Sequence, residues 1–90
     1  QTAATITGTV SDQSGAVVPG AQITITNVGT GQVRSTQTDA VGRYHAPGLN
    51  PGGYTLSAAS AVFETVVRSG ITLTVGREVV MNFTLNHYFY

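Results

Sequence analysis

The sequence predicts an all-β domain, a seven-stranded antiparallel β-sandwich with Greek-key connections. Short segments in which apolar and polar residues alternate make up most of the chain, and this period of two is expected of half-buried strands. Turns rich in Gly, Pro and Asp separate the segments, and no segment has the spacing of an amphipathic helix. Short strands spaced by such turns are typical of a sandwich.

Each predicted strand ends at a turn of recognisable chemistry, for example Asp12–Gly15 or Gly29–Gly31. Pro19 cannot donate a backbone hydrogen bond, so its segment is expected at an edge or in a crossover, and the polar third strand is also expected at an edge. The segment from Pro47 to Gly53 is predicted to be a loop. The predicted strands span residues 4–11, 21–28, 32–38, 43–46, 54–60, 62–68 with a continuation at 71–75, and 78–90.

One face of these strands supplies the predicted core, which is large enough to fill a single layer about 10 Å thick between two sheets. The predicted inward-facing residues are Ile6, Val10, Ile23, Ile25, Tyr44, Tyr54, Leu56, Phe63, Ile71, Leu73, Val79, Met81, Phe83 and Leu85.

The composition narrows the classes of function. The chain has 90 residues, no cysteine and no lysine, its net charge is zero, and only 9% of its residues are charged. Four scattered arginines form no basic stripe, so a nucleic-acid partner is not expected. No apolar run approaches the roughly 20 residues of a membrane-spanning helix. Such a neutral surface suits either a Thr-rich β-domain or a subunit largely covered by its neighbours.

Residues that could carry chemistry are few, and none forms a catalytic, cofactor-binding or metal-binding set. His45 and His87 are far apart in sequence and have no cysteine to complete a metal site, so they are interpreted as solvent-facing strand residues. Asp12 and Asp39 each precede a glycine by three residues, a spacing that an Asx turn explains. We therefore predict no enzyme, no metal and no cofactor.

Two weaker candidates remain. Glu64 and Glu78 could act as paired carboxylates, but each lies near an arginine in sequence and is better interpreted as surface charge. Tyr44, Tyr54 or Tyr88 could stack on a sugar if exposed, which leaves a carbohydrate-binding module as an alternative function.

Four short motifs resemble one known family. They are Ile-Thr-Gly-Thr-Val-Ser-Asp at residues 6–12, Val-Pro-Gly-Ala at 18–21, the Asp, Gly and Tyr of residues 39–44, and Pro-Gly-Gly-Tyr-Thr-Leu at 51–56. These resemble the carboxypeptidase regulatory-like domains, which are similar to transthyretin (prealbumin). Within this family, the sequences of the motifs are most similar to the N-terminal domains of bacterial TonB-dependent receptors. The resemblance implies a non-catalytic bacterial module outside the cytoplasm, which is secreted, on the cell surface or in the periplasm.

The end of the chain departs from the family pattern, which stops near Leu85. We interpret residues 1–90 as a single β-sandwich domain in which residues 86–90 are an aromatic C-terminal extension of the last strand. Three consecutive aromatic residues exposed to water would favour aggregation. They are therefore expected to pack either on their own sandwich or on another chain, unless they belong to a linker.

The leading hypothesis is a structural subunit that assembles with copies of itself into a surface filament or layer. A terminal strand of one copy would add to a sheet edge of the next, either residues 32–38 or an N-terminal strand. The alternative is the N-terminal periplasmic module of an outer-membrane TonB-dependent receptor, acting as a contact or spacer. The predicted assembly contacts are Phe83, Leu85, His87, Tyr88, Phe89 and Tyr90.

Overall fold

The computed structural model describes residues 3–86, which form two β-sheets packed face to face. No helix in this range is long and apolar enough to cross a membrane. The described strands are β1 (Ala4–Asp12), β2 (Gln22–Asn27), β3 (Val33–Gln37), β4 (Arg43–Leu49), β5 (Gly52–Ala59), β6 (Val66–Leu73), β7 (Glu78–Val80) and β8 (Phe83–Leu85).

β1 is the central strand of the first sheet, with β4 on one side and β7 and β8 on the other. The second sheet has the order β3-β2-β5-β6. The chain passes between the sheets after β1, β3, β4 and β6, as it does in Greek-key sandwiches. The predicted β-sandwich is confirmed. The described part has eight strands rather than seven, because the predicted last strand divides at Met81 and Asn82.

The pairing departs from the predicted antiparallel pattern at one place. β7 and β8 both run parallel to β1, whereas the other strand pairs are antiparallel. A tight hairpin would force two neighbouring strands to be antiparallel. β7 instead follows β6, which lies in the opposite sheet, and a connection between sheets allows β7 to lie parallel to β1. The first and last described strands therefore point in the same direction.

Two predicted breaks are bulges within continuous strands. β4 continues through Pro47 and Gly48 to Leu49, so the predicted loop shrinks to the turn before β5. Its register against β1 shifts there, and Gly48 has a φ of 73°, a left-handed conformation that glycine adopts without strain. Ser69 and Gly70 likewise lie inside β6, where its register against β5 shifts.

The core lies between the sheets and largely follows the predicted face. Most of the predicted inward residues are buried, while Phe63, Ile71, Val79 and Met81 are partly buried against them. The structure adds Leu49, which the loop prediction had excluded, and Val18 from the crossover after β1. Additional small residues complete the layer, namely Ala4, Ala21, Ala46 and Ala58.

Arginine side chains lie at the two lateral sides of the sandwich, where the sheets meet. Arg34 of β3, an edge strand as predicted, donates from Nη2 to the carbonyl oxygens of Pro47 at 2.9 Å and Gly48 at 3.0 Å in the opposite sheet. On the other side, the Arg68 guanidinium of β6 lies 5.8 Å from the centre of the Phe83 ring of β8. Each arginine therefore links an edge strand of one sheet to the other sheet.

Candidate functional site

The contact of β1 with β7 and β8 is the most distinctive feature of the molecule. In the first half of the contact, Thr5 to Thr7 pair with Glu78 to Val80. In the second half, Val10 to Asp12 pair with Phe83 to Leu85. Two residues, Met81 and Asn82, connect the halves and pass alongside Gly8 and Thr9.

Met81 and Asn82 bond to β1 although they belong to neither strand. The Met81 amide donates to the Thr7 carbonyl at 2.8 Å, and the Thr9 amide donates to the Asn82 Oδ1 at 2.9 Å. The Tyr44 hydroxyl donates to the Met81 carbonyl from the far side of β1. Hydrogen bonding along β1 therefore continues through the break between β7 and β8.

The lack of a side chain at Gly8 lets the Met81 backbone pass this close to β1. A Cβ placed on Gly8 would lie 1.8 Å from the Met81 carbonyl oxygen and 2.9 Å from Cε2 of the Tyr44 ring. No side chain fits in that space. A glycine inside an alternating strand often marks a place where another backbone approaches closely. Gly8 was therefore the signal in the sequence that could have predicted the approach of Met81. Asn82 carried no comparable signal.

The two turn aspartates shape the end of the sandwich near the C-terminal end of β1. Oδ1 of Asp12 accepts from the Ser14 and Ala16 amides at 2.9 and 3.1 Å. Oδ1 of Asp39 accepts from the Val41 and Arg43 amides, both at 3.0 Å. The predicted Asx turns are therefore present. The amides of Arg43 and then Val41 hold the pKa of Asp39 below its usual value.

The two tyrosines within residues 3–86, Tyr44 and Tyr54, are buried. Tyr44 and Tyr54 are 3% and 4% exposed. The Tyr54 hydroxyl donates to the Asn50 carbonyl at 2.7 Å, and burial raises the pKa of Tyr44. Neither ring can stack on a sugar in this arrangement, and Tyr88 lies outside the described residues.

The predicted assembly contacts divide into two groups. Phe83 and Leu85 are 1% and 0% exposed, so they belong to the domain's own core rather than to a surface that another chain could reach. The physical reason is that β8 pairs with β1 and turns its apolar face inward. His87, Tyr88, Phe89 and Tyr90 lie outside the described residues 3–86.

A shallow polar depression of about 760 Å³ opens beside β1 and β4. Its lining includes Thr7, Thr9, Arg43, His45 and Asn82. His45 is exposed there, as predicted. The hydroxyl, amide and imidazole groups can exchange hydrogen bonds with water or a polar solute.

The remaining acidic residues form no evident reactive pair. Glu64 and Glu78 are both exposed, Glu64 in the segment before β6 and Glu78 at the start of β7. Among residues 3–86, no group of three or more His, Cys, Asp or Glu side chains could hold a metal ion.

Comparisons with solved structures agree on the fold. The chain superposes on the Bacillus anthracis TIE protein with a TM-score of 0.79 at 15% identity, covering 97% of this chain and 17% of that one. It matches chlorocatechol 1,2-dioxygenase from Pseudomonas putida with a TM-score of 0.78 at 13% identity, covering 96% of this chain and 61% of that one. These identities show a shared fold alone, and the chain spans only part of each protein.

A third structure, a Bacteroides uniformis protein assigned provisionally to carbohydrate binding, matches with a TM-score of 0.74 at 20% identity. The match covers 94% of this chain and 42% of that one. No curated protein matches the sequence significantly. The model of the carboxypeptidase regulatory-like domain matches residues 5–86, nearly the whole chain. That family is of a regulatory, non-catalytic type. The motifs and the sandwich agree with this match, and the chain belongs to the carboxypeptidase regulatory-like domain family.

Proposed function

We propose that this chain is a non-catalytic structural module that holds the polypeptide segments before and after it at opposite ends of a rigid sandwich. The observation that carries the proposal is the parallel pairing of β1 with β7 and β8. Because the first and last strands run in the same direction, the chain enters near one end of the sandwich and leaves near the other. An antiparallel last strand would have returned it to the end where it entered.

The dimensions support a spacer. β1 is nine residues long and covers about 26 Å at the usual rise per residue. The molecule measures 43 × 22 × 16 Å along its principal axes, so it is elongated. Ala4 lies beside Leu49 at one end, and Asp12 lies beside Leu85 at the other. A module with this geometry holds its neighbours apart by about the length of β1.

The proposed setting is outside the cytoplasm of a bacterium, on the cell surface or in the periplasm. The family resemblance of the motifs supports this setting. A spacer in the N-terminal part of an outer-membrane TonB-dependent receptor is one setting in which this geometry would be used.

Scattering from two copies joined head to tail tests the spacer. The expected result is an extended particle whose maximum dimension exceeds that of a single copy by at least the length of β1, about 26 Å. A compact particle, with the two copies side by side and a maximum dimension near that of one copy, would contradict the proposal. A single copy measured at the same concentrations is the control.

Self-assembly into a filament or layer is a second candidate. The charge-poor composition and the exposed valines favour it, among them Val67 and Val80, which are 60% and 64% exposed. With Phe83 and Leu85 in the core, the donor segment reduces to residues 87–90. On β3, one of the proposed receiving edges, the Arg34 side chain already donates to the Pro47 carbonyl of β4.

Removing residues 87–90 tests the assembly hypothesis. If these residues join copies, the full chain forms oligomers that grow with concentration, and the shortened chain remains a monomer. A variant with Tyr88, Phe89 and Tyr90 replaced by serine separates the aromatic side chains from the length of the segment. A full-length chain that stays monomeric at high concentration would rule this candidate out.

A carbohydrate-binding function through the tyrosines has little support, because Tyr44 and Tyr54 are buried and their hydroxyls donate to backbone carbonyls. The name of the Bacteroides uniformis structure raises the possibility, but its 20% identity carries only the fold. A glycan array probed with the full chain checks it directly.

A further inference from the structure

We propose that the contact of β1 with β7 and β8 is a mechanical clamp that resists tension along the polypeptide chain. The proposal rests on the spacer function and adds to it the property that such a spacer would need under load. It identifies the contact that must break before the chain can extend and the residues that hold that contact.

The direction of the strands determines how a pulling force acts. A force that separates the two ends of the chain draws β1 toward its N-terminus and β8 toward its C-terminus. Since the two strands are parallel neighbours, these directions are opposite and lie along the strands. The hydrogen bonds between them lie across the force, so they are sheared together instead of being opened one after another.

The bonded contact is long and has no gap at the break between β7 and β8. It begins with the Thr5 amide, which donates to the Arg77 carbonyl at 2.9 Å, and extends to the pairing of Asp12 with Leu85. At the break, the bonds from Met81 to Thr7 and from Thr9 to Asn82 replace the regular ladder. The Asn82 amide side chain thus joins two short ladders into one.

The neighbours of the clamp also oppose sliding. β1 is held on its other side by β4, with pairs from Ala4 and Leu49 to Thr9 and Arg43. β8 cannot move along β1 without drawing Phe83 and Leu85 out of the core, where both are buried. β7 and β8 have only β1 as a partner strand among the described residues. The clamp therefore yields on the side of β7 and β8.

Single-molecule pulling on the full chain in two directions tests the clamp. In the first, handles are attached at the two ends of the chain. In the second, the C-terminal handle stays in place and the N-terminal handle moves to Gln13→Cys. Gln13 is an exposed turn residue next to the C-terminal end of β8, and the chain has no natural cysteine. The second geometry peels β8 from β1 at one end. We expect the unfolding force from end to end to be severalfold higher than the force in the peeling geometry.

Asn82→Ala provides a second readout without moving the handles. It removes the acceptor of the Thr9 amide and should lower the end-to-end force while leaving the peeling force almost unchanged. Asn50→Ala, in the turn between β4 and β5, is the matched control and should change neither.

Equal forces in both pulling directions would overturn the clamp, as would an end-to-end force that Asn82→Ala leaves unchanged. Either result would leave the spacer function standing if the joined copies still scatter as an extended particle. If the two joined copies instead form a compact particle, the proposed spacer function is wrong, whereas the pulling experiment still tests whether the contact of β1 with β7 and β8 resists force.

Discussion

Gly8 lies directly against the carbonyl group of Met81, so closely that a Cβ on Gly8 would come 1.8 Å from the oxygen and 2.7 Å from the carbonyl carbon. That approach lets the chain pass from β7 to β8 while it remains bonded to β1. The backbone of Met81 occupies the space that a side chain would otherwise fill.

Gly8→Ala should therefore destabilise the fold by about 3 kcal/mol, at the upper end of the cost of overpacking a core. The obstacle is a backbone carbonyl, which can move only if the bonds of Met81 to Thr7 and Tyr44 are disturbed. Urea denaturation measures the loss. Gly29→Ala is the control, because its Cβ would meet nothing nearer than the Asn27 Oδ1 at 3.4 Å. Similar losses in the two variants would contradict the close approach.

Phe83→Ala should cost about 3 to 5 kcal/mol in the free energy of unfolding of the monomer, because it leaves a cavity in the core. Val80→Ala, in the neighbouring strand, removes an exposed side chain and should change stability by less than about 0.5 kcal/mol. If Phe83 instead served another chain, its loss would weaken association while monomer stability stayed near that of the wild type. Thermal or urea unfolding at low protein concentration distinguishes the two cases.

Asp39 gives the stability a dependence on acid pH. Its pKa is lower in the folded protein than the ordinary value of 3.8, so its contribution is present above that value and is lost as the pH falls through the lower folded value. The free energy of unfolding of the wild type should therefore fall more steeply below about pH 4 than that of Asp39→Asn, which keeps the acceptor oxygen and does not titrate. Parallel pH profiles of the two proteins would show that the carboxylate is not stabilised by its turn.

Arg68 places a charge at an inward-facing position of the edge strand β6, opposite Leu56 in β5. Inward charges and bulges discourage the addition of a foreign strand to a sheet edge, and β6 has both. Arg68→Met should consequently increase association, measured by light scattering against concentration. Arg77→Met, in the turn before β7, is the control for loss of positive charge alone. An equal rise in both variants would assign the effect to net charge.

The parts of the fold that depend on residues close together in the sequence were predictable from the sequence. Alternation identified the strands, and the spacing from Asp12 to Gly15 and from Asp39 to Gly42 identified the turns, because an Asx turn is made within four residues. The bulges at Gly48 and Gly70 looked like breaks, since a glycine in a strand has the same local signature in both cases.

The candidate site was harder to predict because it depends on which strand lies beside which. The parallel direction of β7 and β8 follows from a crossing between sheets that no local pattern encodes. Alternation showed that Phe83 and Leu85 face one way, but it could not show whether their own sandwich or another chain covers that face. The role of Asn82 depends on the position of the Thr9 amide, 73 residues away in sequence.

The central claim is that the last strand runs parallel to the first, so that the chain leaves the sandwich at the end opposite its entry. Distances between paired spin labels test it most directly, with one label at Thr84→Cys in β8 and the other at Ser11→Cys or Thr5→Cys in β1. Parallel strands predict backbone separations of about 5 Å for Ser11 and about 20 Å for Thr5. The reverse order, with Thr5 near Thr84 and Ser11 far from it, would contradict the parallel arrangement.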